Sequence, residues 1–267
     1  MAGEVIEHAR NALNYGIANL TPRDFFTVIA FSEHQYYYSQ TLVPASEENQ
    51  AAAIEWVNNI QAAGLTDILT PLKSAVNILE QSHNHPQTKD TVPFVFLSTD
   101  GAVTNERDIC AYTQGLRTPI RFNTFGIGQC ANHVFLKALA QLGRGFCEVV
   151  WKGGEVFKQI VYLLSMTNSP ILTEVKVGIA KSAENIELFP YPIPDLFCGA
   201  PILISGKYTG KFPQKMSLYG VLPNGEAFKA DVAVENNTMI PVDRIFVKQQ
   251  LDVLTANVNL FFFFLLF

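Results

Sequence analysis

A carboxylate that could bind a ligand follows an apolar run in the middle of the chain. Residues 92–97 read Val-Pro-Phe-Val-Phe-Leu and precede Ser98-Thr99-Asp100-Gly101. Such a run without polar alternation is typical of a strand covered on both faces, as in a parallel sheet between helices. Ligands of open α/β sheets bind beyond the carboxyl ends of the strands, so Asp100 is expected at a binding position. The alternative is an ordinary strand that ends in an Asp-Gly turn.

A glycine pattern offers a second kind of chemistry. Gly126-Ile127-Gly128-Gln129-Cys130-Ala131 satisfies G-x-G-x-x-A between a predicted strand and a predicted helix, and Glu148 follows Gly128 by 20 residues. A dinucleotide-binding fingerprint has this spacing, because its glycines admit a pyrophosphate and its acidic residue binds a ribose. Short glycine patterns also recur where a strand turns tightly into a helix, and this interpretation is favoured.

The other candidate ligands and nucleophiles do not form a recognisable site. His83 and His85 share a predicted loop, but no third and fourth ligand stand at suitable spacing, so a solvated loop is favoured over a metal site. No histidine accompanies a G-x-S-x-G nucleophile motif. The chain has four widely spaced cysteines: Cys110, Cys130, Cys147 and Cys198. Since they contain no C-x-x-C pair, we expect buried free thiols rather than a disulfide framework or a zinc site.

The elements that would position Asp100 alternate between helices and strands. Three- and four-residue apolar spacing and the polar segments between strands predict helices near residues 5–20, 53–60, 72–79, 105–116, 132–142 and 155–166. Strands are predicted at residues 25–31, 120–127 and 146–150, with a shorter edge strand at 36–43 that Pro44 would close. Thr70-Pro71 fits an N-cap followed by proline at the start of the third helix. The alternation predicts an α/β fold, a doubly wound and mostly parallel sheet flanked by helices.

Beyond residue 167 the pattern changes to strands without helices. Strands are predicted at residues 171–179, 202–208, 216–222 and 227–234. Asn224-Gly225 predicts a hairpin turn between the last two of them. We therefore expect an α/β domain over residues 1–167 and a β-rich, sandwich-like domain over residues 168–256. Residues 257–267 form an apolar tail that we expect to be unnatural and that is shorter than the roughly 20 residues of a transmembrane span.

Composition and charge argue against some classes of partner. The net charge of −5 leaves no basic face for nucleic acid or a membrane surface. The 20 phenylalanines and nine tyrosines are not interleaved with basic residues, so we expect them in the core rather than stacked on bases. The first residues show no signal-peptide pattern, which makes a cytoplasmic location the default expectation.

Several motifs together resemble a von Willebrand factor type A domain. In order they are residues 24–32 (Asp-Phe-Phe-Thr-Val-Ile-Ala-Phe-Ser), 64–68 (Gly-Leu-Thr-Asp-Ile), 97–101 (Leu-Ser-Thr-Asp-Gly) and 124–128 (Thr-Phe-Gly-Ile-Gly). Residues 191–197 and 251–256 are similar to the segment after that domain in inter-alpha-trypsin inhibitor heavy chain-related proteins, particularly the plant ones. The resemblance covers nearly all of residues 1–256 and implies a Rossmann-like fold.

The resemblance also implies a metal-ion-dependent adhesion site. In the family a divalent cation, usually Mg²⁺, lies on top of the sheet and takes a carboxylate from a partner protein. Its ligands come from a D-x-S-x-S loop, a threonine and an aspartate, which are the hard oxygen donors that Mg²⁺ prefers. By position, Thr66 matches the threonine and Asp100 the aspartate. Asp67 is expected to support its loop through hydrogen bonds to backbone amides.

The sequence departs from the family before its first helix. It begins Met1-Ala2-Gly3-Glu4-Val5-Ile6, which is similar to the pattern that follows the D-x-S-x-S loop, and that loop and the first, central strand are lacking. We therefore expect a fragment, truncated at both ends. Loss of the strand would leave two rows of unpaired backbone groups. Two oxygen donors are expected to hold Mg²⁺ or Mn²⁺ poorly.

The expected function is a non-enzymatic protein-binding or adhesion module that recognises an acidic side chain of its partner through this partial metal site. A nucleotide-binding oxidoreductase built on Gly126 and Gly128 is one alternative, and dinucleotide binding without an effect of Mg²⁺ would favour it. A metal-independent interaction scaffold is the other. Its binding would be indifferent to EDTA and to Asp100→Ala.

Overall fold

The structure is a computed structural model, and its contacts divide the chain into two units, Met1–Ser165 and Met166–Phe267. It describes the following residues: 3–62, 64–83, 85–88, 91–151, 153–167, 170–178, 183–198, 201–211, 213–222, 224–235 and 239–261. Each unit is described by itself below.

The chain up to residue 167 alternates between helices and strands, as predicted. Its helices are α1 (Glu4–Ala18), α2 (Glu47–Asn58), α3 (Leu69–His83), α4 (Glu106–Gln114), α5 (His133–Leu142) and α6 (Val156–Thr167). Its strands are β1 (Phe25–Phe26), β2 (Ile29–Phe31), β3 (Gln35–Tyr37), β4 (Val43–Pro44), β5 (Phe94–Thr99), β6 (Arg121–Ile127) and β7 (Cys147–Val150).

A parallel sheet of order β5-β6-β7 organises this unit. Thr99 lies opposite Gly126, and Ile127 lies opposite Val150, so the three strands end side by side. We call this end the carboxyl edge, and it comprises residues 99–101, 127–128 and 150–151. The α/β class is confirmed. Within the described residues no strand lies beside the other side of β5, where the resemblance places the first strand.

The central strand of this sheet is buried between two layers of helices. Every residue of β6 is buried, including the polar residues Arg121, Asn123 and Thr124. Phe125 and Ile127 belong to a core cluster with Ala12 of α1 and with residues of α6. On the alternate positions, the Thr124 hydroxyl donates a hydrogen bond of 2.8 Å to the Leu136 carbonyl oxygen of α5. Helices therefore cover both faces of the sheet.

The prediction of one continuous strand at residues 25–31 is wrong, because the segment forms two short strands, β1 and β2. Strand β1 pairs with β4 and strand β2 pairs with β3, both antiparallel, in separate two-stranded sheets. The predicted edge strand at 36–43 is divided in the same way. The physical reason lies between the pairs, where the Thr27 hydroxyl donates a 2.6 Å hydrogen bond to the Ser39 carbonyl oxygen. This side-chain hydrogen bond takes the place of a backbone hydrogen bond between strands, so the pairing of β2 with β3 ends here and β1 pairs with β4 instead.

The second unit consists of antiparallel strands and one long helix. Its elements are β8 (Pro170–Gly178), β9 (Ala183–Phe189), β10 (Leu196–Phe197), β11 (Ser205–Gly210), β12 (Lys215–Val221), β13 (Ala227–Ala233) and α7 (Val242–Phe261). One sheet has the order β10-β8-β12-β13, and the other pairs β11 with β9. Leu188 of β9 and Leu218 of β12 share an apolar cluster around Leu172, so the two sheets share a core, as in a sandwich.

The predicted hairpin of the second unit is confirmed. Strands β12 and β13 pair in register from Lys215 opposite Ala233 to Val221 opposite Ala227. The turn between them contains Gly225 at φ 82°, a left-handed conformation that glycine adopts without strain. The Glu226 N–H donates to the Asn224 side-chain oxygen at 3.1 Å, which closes the turn.

Helix α7 is an element that the sequence reading did not predict, and it lies partly within the β-rich range 168–256. The helix also includes the first residues of the predicted apolar tail, whose last residues, 262–267, lie outside the described part. The overlooked signal is the spacing of Val247, Leu251 and Leu254, which is that of a helix face. Within the described residues no helix, α7 included, combines the length and apolar character that crossing a membrane requires.

Candidate functional site

Loops from distant parts of the first unit meet at the carboxyl edge beside β5. The Asp67 N–H donates a 3.0 Å hydrogen bond to the Ser32 carbonyl oxygen, which ties the loop before α3 to the end of β2. A methyl group on Gly101 would overlap the Thr66 hydroxyl and lie 3.0 Å from Thr66 Cβ. The Thr66 side chain therefore packs on the backbone of the residue that follows Asp100.

The Asp67 side chain is directed at the start of α3. Its Oδ1 accepts a hydrogen bond of 3.3 Å from the Thr70 N–H. The helix begins at Leu69, so the predicted N-cap at Thr70 is wrong and Thr70 lies in the first turn. The physical reason is that Asp67 already supplies the oxygen that an exposed amide at a helix start requires. Thr66 and Asp67 both remain in the loop before the helix.

A glycine and a serine shape the same loop. Gly64 has φ 69°, and a methyl group on it would lie 3.3 Å from Ser32 Oγ and 3.6 Å from Glu33 Cγ. Sequence reasoning did not select Ser32 or Glu33 as site residues. The signal that could have found them is their position directly after the apolar segment 25–31, at the start of the turn that leads to β3.

A short turn carries Asp100 away from β5. The Gly101 N–H donates a 3.2 Å hydrogen bond to the hydroxyl of Thr99, a side chain that is only 3% exposed. Within the described residues, the Ser98 hydroxyl oxygen is buried and has no hydrogen-bond partner. Asp100 itself is half-buried. The turn thus fixes the backbone on both sides of this carboxylate.

The donor chemistry of Thr66 and Asp100 suits Mg²⁺ or Mn²⁺, since a hydroxyl and a carboxylate are hard oxygen ligands. The number of donors is small. Among the described residues, no group of three or more His, Cys, Asp or Glu side chains could hold a metal ion. Two protein ligands would leave about four of the six positions of an octahedral shell to water or to other oxygen donors.

The glycine pattern after β6 serves helix packing. A methyl group on Gly126 would lie 2.8 Å from Leu136 Cδ1 and 3.0 Å from His133 Nδ1, so glycine lets α5 approach the strand. The Asn132 side-chain oxygen accepts hydrogen bonds from the Val134 and Phe135 N–H groups at 3.1 and 3.2 Å. A phosphate would need such amides at the helix N-terminus. The geometry therefore favours a structural role of these glycines over a dinucleotide site.

The other acidic and imidazole candidates are Glu148, His83 and His85. Glu148 lies opposite Phe125 in β7, and burial raises the pKa of its carboxyl. His83 is the last residue of α3 rather than a loop residue. His85 is exposed in the following turn, where its Nδ1 accepts a 3.4 Å hydrogen bond from the Gln87 N–H.

All four cysteines lie in the described part and are free. The prediction of buried thiols is right for Cys110 and wrong for Cys130 and Cys198, which are exposed, while Cys147 is half-buried. Burial, with a smaller contribution from nearby Glu106, raises the pKa of the Cys110 thiol to about 11. The physical reason for the exposures is that Cys130 follows the turn after β6 and Cys198 follows β10, where no described element covers them.

Thiol labelling of the native protein is expected to separate the cysteines by rate. At pH 8, Cys130 and Cys198 should react rapidly with a disulfide reagent and Cys110 only after unfolding, because a buried thiol forms little thiolate. The folded pKa of Cys110 exceeds its ordinary value of 9.0, so its contribution to stability is present below pH 9 and lost as pH rises towards 11. Peptide mapping of the labelled sites is the measurement, and early labelling of Cys110 would contradict the structure.

Comparison with known families and proteins confirms the resemblance. Residues 1–149 match the family model described as von Willebrand factor type A domain. Human inter-alpha-trypsin inhibitor heavy chain H4 is 29% identical over 234 residues, which are 84% of this chain and 25% of that protein. Heavy chain H1 of Mesocricetus auratus is 23% identical over 249 residues, 90% of this chain and 27% of that protein. The chain spans about a quarter of the length of these curated relatives.

Solved structures agree in fold. A von Willebrand factor type A protein from Catenulispora acidiphila superposes with a TM-score of 0.63 at 17% identity, covering 86% of this chain and 61% of that one. The ArnB paralog VWA2 from Sulfolobus acidocaldarius superposes with a TM-score of 0.51 at 15% identity, covering 95% and 67%. At these identities the likeness concerns the fold alone.

Proposed function

The chain belongs to the von Willebrand factor type A domain family, and on this basis we propose that it is a protein-binding module whose ligand docks at the carboxyl edge beside Thr66 and Asp100. Proteins of this family and the inter-alpha-trypsin inhibitor heavy chains are generally non-enzymatic, and the family commonly serves adhesion and protein interaction. The observation that carries the proposal is the packing of Thr66 on Gly101, because it joins two candidate ligand loops at one point.

Each residue of the site has its own role in the proposed binding. A divalent cation, Mg²⁺ or Mn²⁺, would supply the positive charge and open positions that accept a carboxylate from a partner protein. The Thr66 hydroxyl and the Asp100 carboxylate would hold it. Asp67 orients the Thr66 loop through its bond to the Thr70 N–H, and Thr99 fixes the turn that carries Asp100.

The charges of the loops favour a role for the cation in binding an acidic ligand. The loops of this site are residues 32–34, 64–68 and 99–104. They contain the acidic residues Glu33, Asp67 and Asp100 and no lysine or arginine. A carboxylate approaching these loops alone would be repelled, since like charges at short range disfavour each other. Partner binding through an acidic side chain should therefore be lost when EDTA removes the cation.

Titration of the full chain with Mn²⁺ tests this function. We expect one saturable site, observed as loss of the free Mn²⁺ electron paramagnetic resonance signal and reversed by excess Mg²⁺. Glu226→Gln, in the hairpin of the second unit, is a suitable control and should leave the titration unchanged. Absence of saturable Mn²⁺ binding up to millimolar concentrations would reject the metal-dependent form of the proposal.

The second candidate function is a metal-independent interaction scaffold. The observation in its favour is that Thr66 and Asp100 are few ligands for an octahedral ion. Under this function the chain would bind a protein with equal affinity in EDTA and in Mg²⁺, and Asp100 substitutions would have no effect.

A further inference from the structure

Strand β13 forms an outer edge of the four-stranded sheet in the second unit. It is the last strand in the order β10-β8-β12-β13, and no described strand pairs with its other side. It pairs with β12 along its seven residues without a register shift, whereas the pairings of β8 with β10 and with β12 are both irregular. The strand contains no proline and no bulge, which are features that often prevent pairing at a sheet edge. The free side of β13 is therefore a regular template for another strand.

The hydrogen bonds of the hairpin show which residues face this free edge. At the turn, the Leu222 N–H donates a 2.8 Å hydrogen bond to the Glu226 carbonyl oxygen, and at the other end the Val234 N–H donates one of 3.0 Å to the Gln214 carbonyl oxygen. Hydrogen-bonded and non-hydrogen-bonded pairs alternate between these ends, as in any antiparallel ladder. The even-numbered residues of β13 thus direct their backbone groups to β12. The odd-numbered residues direct theirs to the free edge: Ala227, Lys229, Asp231 and Ala233.

The two charged residues of β13 lie beside this edge on the exposed face of the sheet. Phe228 packs on the apolar cluster of the sandwich, whereas Lys229 and Asp231 are exposed on the opposite face. The Asp231 carboxylate accepts a 2.7 Å hydrogen bond from the Ser217 hydroxyl. The Lys229 ammonium lies 5.6 Å from the centre of the Tyr219 ring. These contacts with β12 hold both charges next to the free edge.

The order of residues in β13 is symmetric about Ala230. The strand reads Ala-Phe-Lys-Ala-Asp-Val-Ala, so each side of the central alanine carries a charged residue, then an apolar residue, then an alanine. The charges on the two sides are opposite in sign. When two such strands pair antiparallel with Ala230 facing Ala230, Lys229 of each copy lies opposite Asp231 of the other. Both residues direct their backbone groups to the edge, so they form hydrogen-bonded pairs in this register.

Other registers of two β13 strands are less complementary. A two-fold axis at Lys229 places this lysine opposite itself, and an axis at Asp231 does the same for the aspartate. A parallel pair in register also brings like charges together, which is unfavourable across strands. An axis at Val232 places Lys229 opposite Glu235, which lies beyond the end of β13, and leaves Asp231 opposite Ala233. The axis at Ala230 therefore matches the charges of the whole strand.

The remaining charged residues on this face do not oppose that register. Lys215 lies on β12 opposite Ala233, and Lys176 lies on β8 opposite Tyr219, so both are set back from the edge by one or two strands. Glu235 follows β13 and would face Gly225 of the second copy. No like charges therefore stand directly opposite each other across the edge.

We propose that the free edge of β13 is a self-association surface, and that its occupant is β13 of a second copy of this chain, antiparallel and with Ala230 at the two-fold axis. The symmetry of the strand selects this occupant, because one strand supplies both members of each charge pair. Val232, which is 53% exposed, would then lie opposite Phe228 of the other copy. The proposal is independent of the metal-binding function. One strand of each copy makes a small interface, below roughly 1,200 Å², so the association is weak and depends on protein concentration.

Sedimentation velocity of the full chain in EDTA tests the proposal. The wild type should shift from monomer towards dimer over roughly 1–100 μM. Lys229→Asp alone and Asp231→Lys alone should each weaken self-association about tenfold, because like charges then face each other in both pairs. An equimolar mixture of the two variants should restore the dimer, since each chain supplies the charge that the other lacks. Lys215→Asp is the matched control, because it makes the same change of charge on the same face but one strand away from the edge.

A proline tests the backbone part of the interface. The Ala233 N–H faces the free edge, so Ala233→Pro removes an edge donor and leaves the hydrogen bonds to β12 in place. We expect this variant to weaken self-association about tenfold as well. Its far-ultraviolet circular dichroism should match that of the wild type, because the hairpin is retained.

Three results would overturn the proposal. The first is a wild type that stays monomeric throughout this concentration range. The second is an oligomer that Lys215→Asp weakens as much as Lys229→Asp does, because net charge rather than the register would then govern association. The third is a mixture of Lys229→Asp and Asp231→Lys that forms no dimer although both variants are folded. Restoration in the mixture is the decisive supporting result, because neither unfolding nor unspecific aggregation produces it.

Discussion

Asp100→Asn is expected to weaken Mn²⁺ binding about tenfold or more and to leave the melting temperature within about 2 °C of the wild type. The substitution keeps the shape of the side chain and removes the negative charge of the proposed carboxylate ligand. Paramagnetic resonance titration measures the affinity, and circular dichroism measures the melt. Asp108→Asn is the matched control, because Asp108 is an exposed aspartate of α4. Equal Mn²⁺ affinity in the two variants would remove Asp100 from the site.

The same site can be perturbed without touching a proposed ligand. Gly101→Ala places a methyl group where the Thr66 hydroxyl lies, so Thr66 must move away from Asp100. Mn²⁺ binding should fall here too, by a similar factor. Gly154→Ala is its control in the same unit, since no atom lies within 4 Å of the added methyl group and the backbone there is not left-handed. An equal loss in both variants would show that the position of Thr66 does not govern binding.

Phe125→Ala is expected to lower the free energy of unfolding of the first unit by about 3–5 kcal/mol. Phe125 is fully buried in the central strand β6, where it packs with Ala12 of α1 and with α6. Truncation removes the transfer free energy of the ring and leaves a cavity between the sheet, α1 and α6. Both tryptophans, Trp56 and Trp151, belong to the first unit, so fluorescence in a urea titration follows the unfolding of this unit.

A matched control for this prediction is Phe157→Ala. Phe157 lies on α6, is 39% exposed and contacts the Tyr15 ring edge-on at 6.0 Å. Its loss should cost about 1 kcal/mol or less, because much of its surface already faces water and the ring pair is weak. Similar midpoints for the two variants would mean that Phe125 does not lie in the core that the structure describes.

The sequence alone predicted the elements of the parallel sheet and the location of Asp100. Residues 92–97 are a continuous apolar run, and most of the predicted helices carry apolar residues at three- and four-residue spacing. These signals are local, because a strand covered on both faces is rich in apolar residues. The position of Asp100 follows from them without knowledge of any contact, since the end of a parallel strand is also an edge of the sheet.

Other features of the site required the tertiary structure. Thr66 is matched to a metal ligand only through family resemblance, and its packing on Gly101 joins residues from separate loops, a contact that periodicity does not encode. Which side chain supplies the capping oxygen at the start of α3 also depends on loop geometry. Asp and Thr are both good caps, and the structure shows that Asp67 rather than Thr70 has this role. Ser32 was also found only from the structure, because its contacts with Gly64 and Asp67 connect separate loops.

Only the tertiary structure determines which of several possible partners a segment contacts. Apolar residues 25–31 are suited to one strand, yet the Thr27 hydroxyl bonds Ser39 and divides the pairing between two strands. In sequence, Gly126 fits a phosphate loop as well as a tight turn from strand to helix, and the proximity of Leu136 shows that it lets α5 pack on the strand. Helix α7 has helical spacing, but which of its sides is buried depends on contacts with Leu203 and Phe189. Local patterns state what a segment can form, and long-range contacts select among the forms it can adopt.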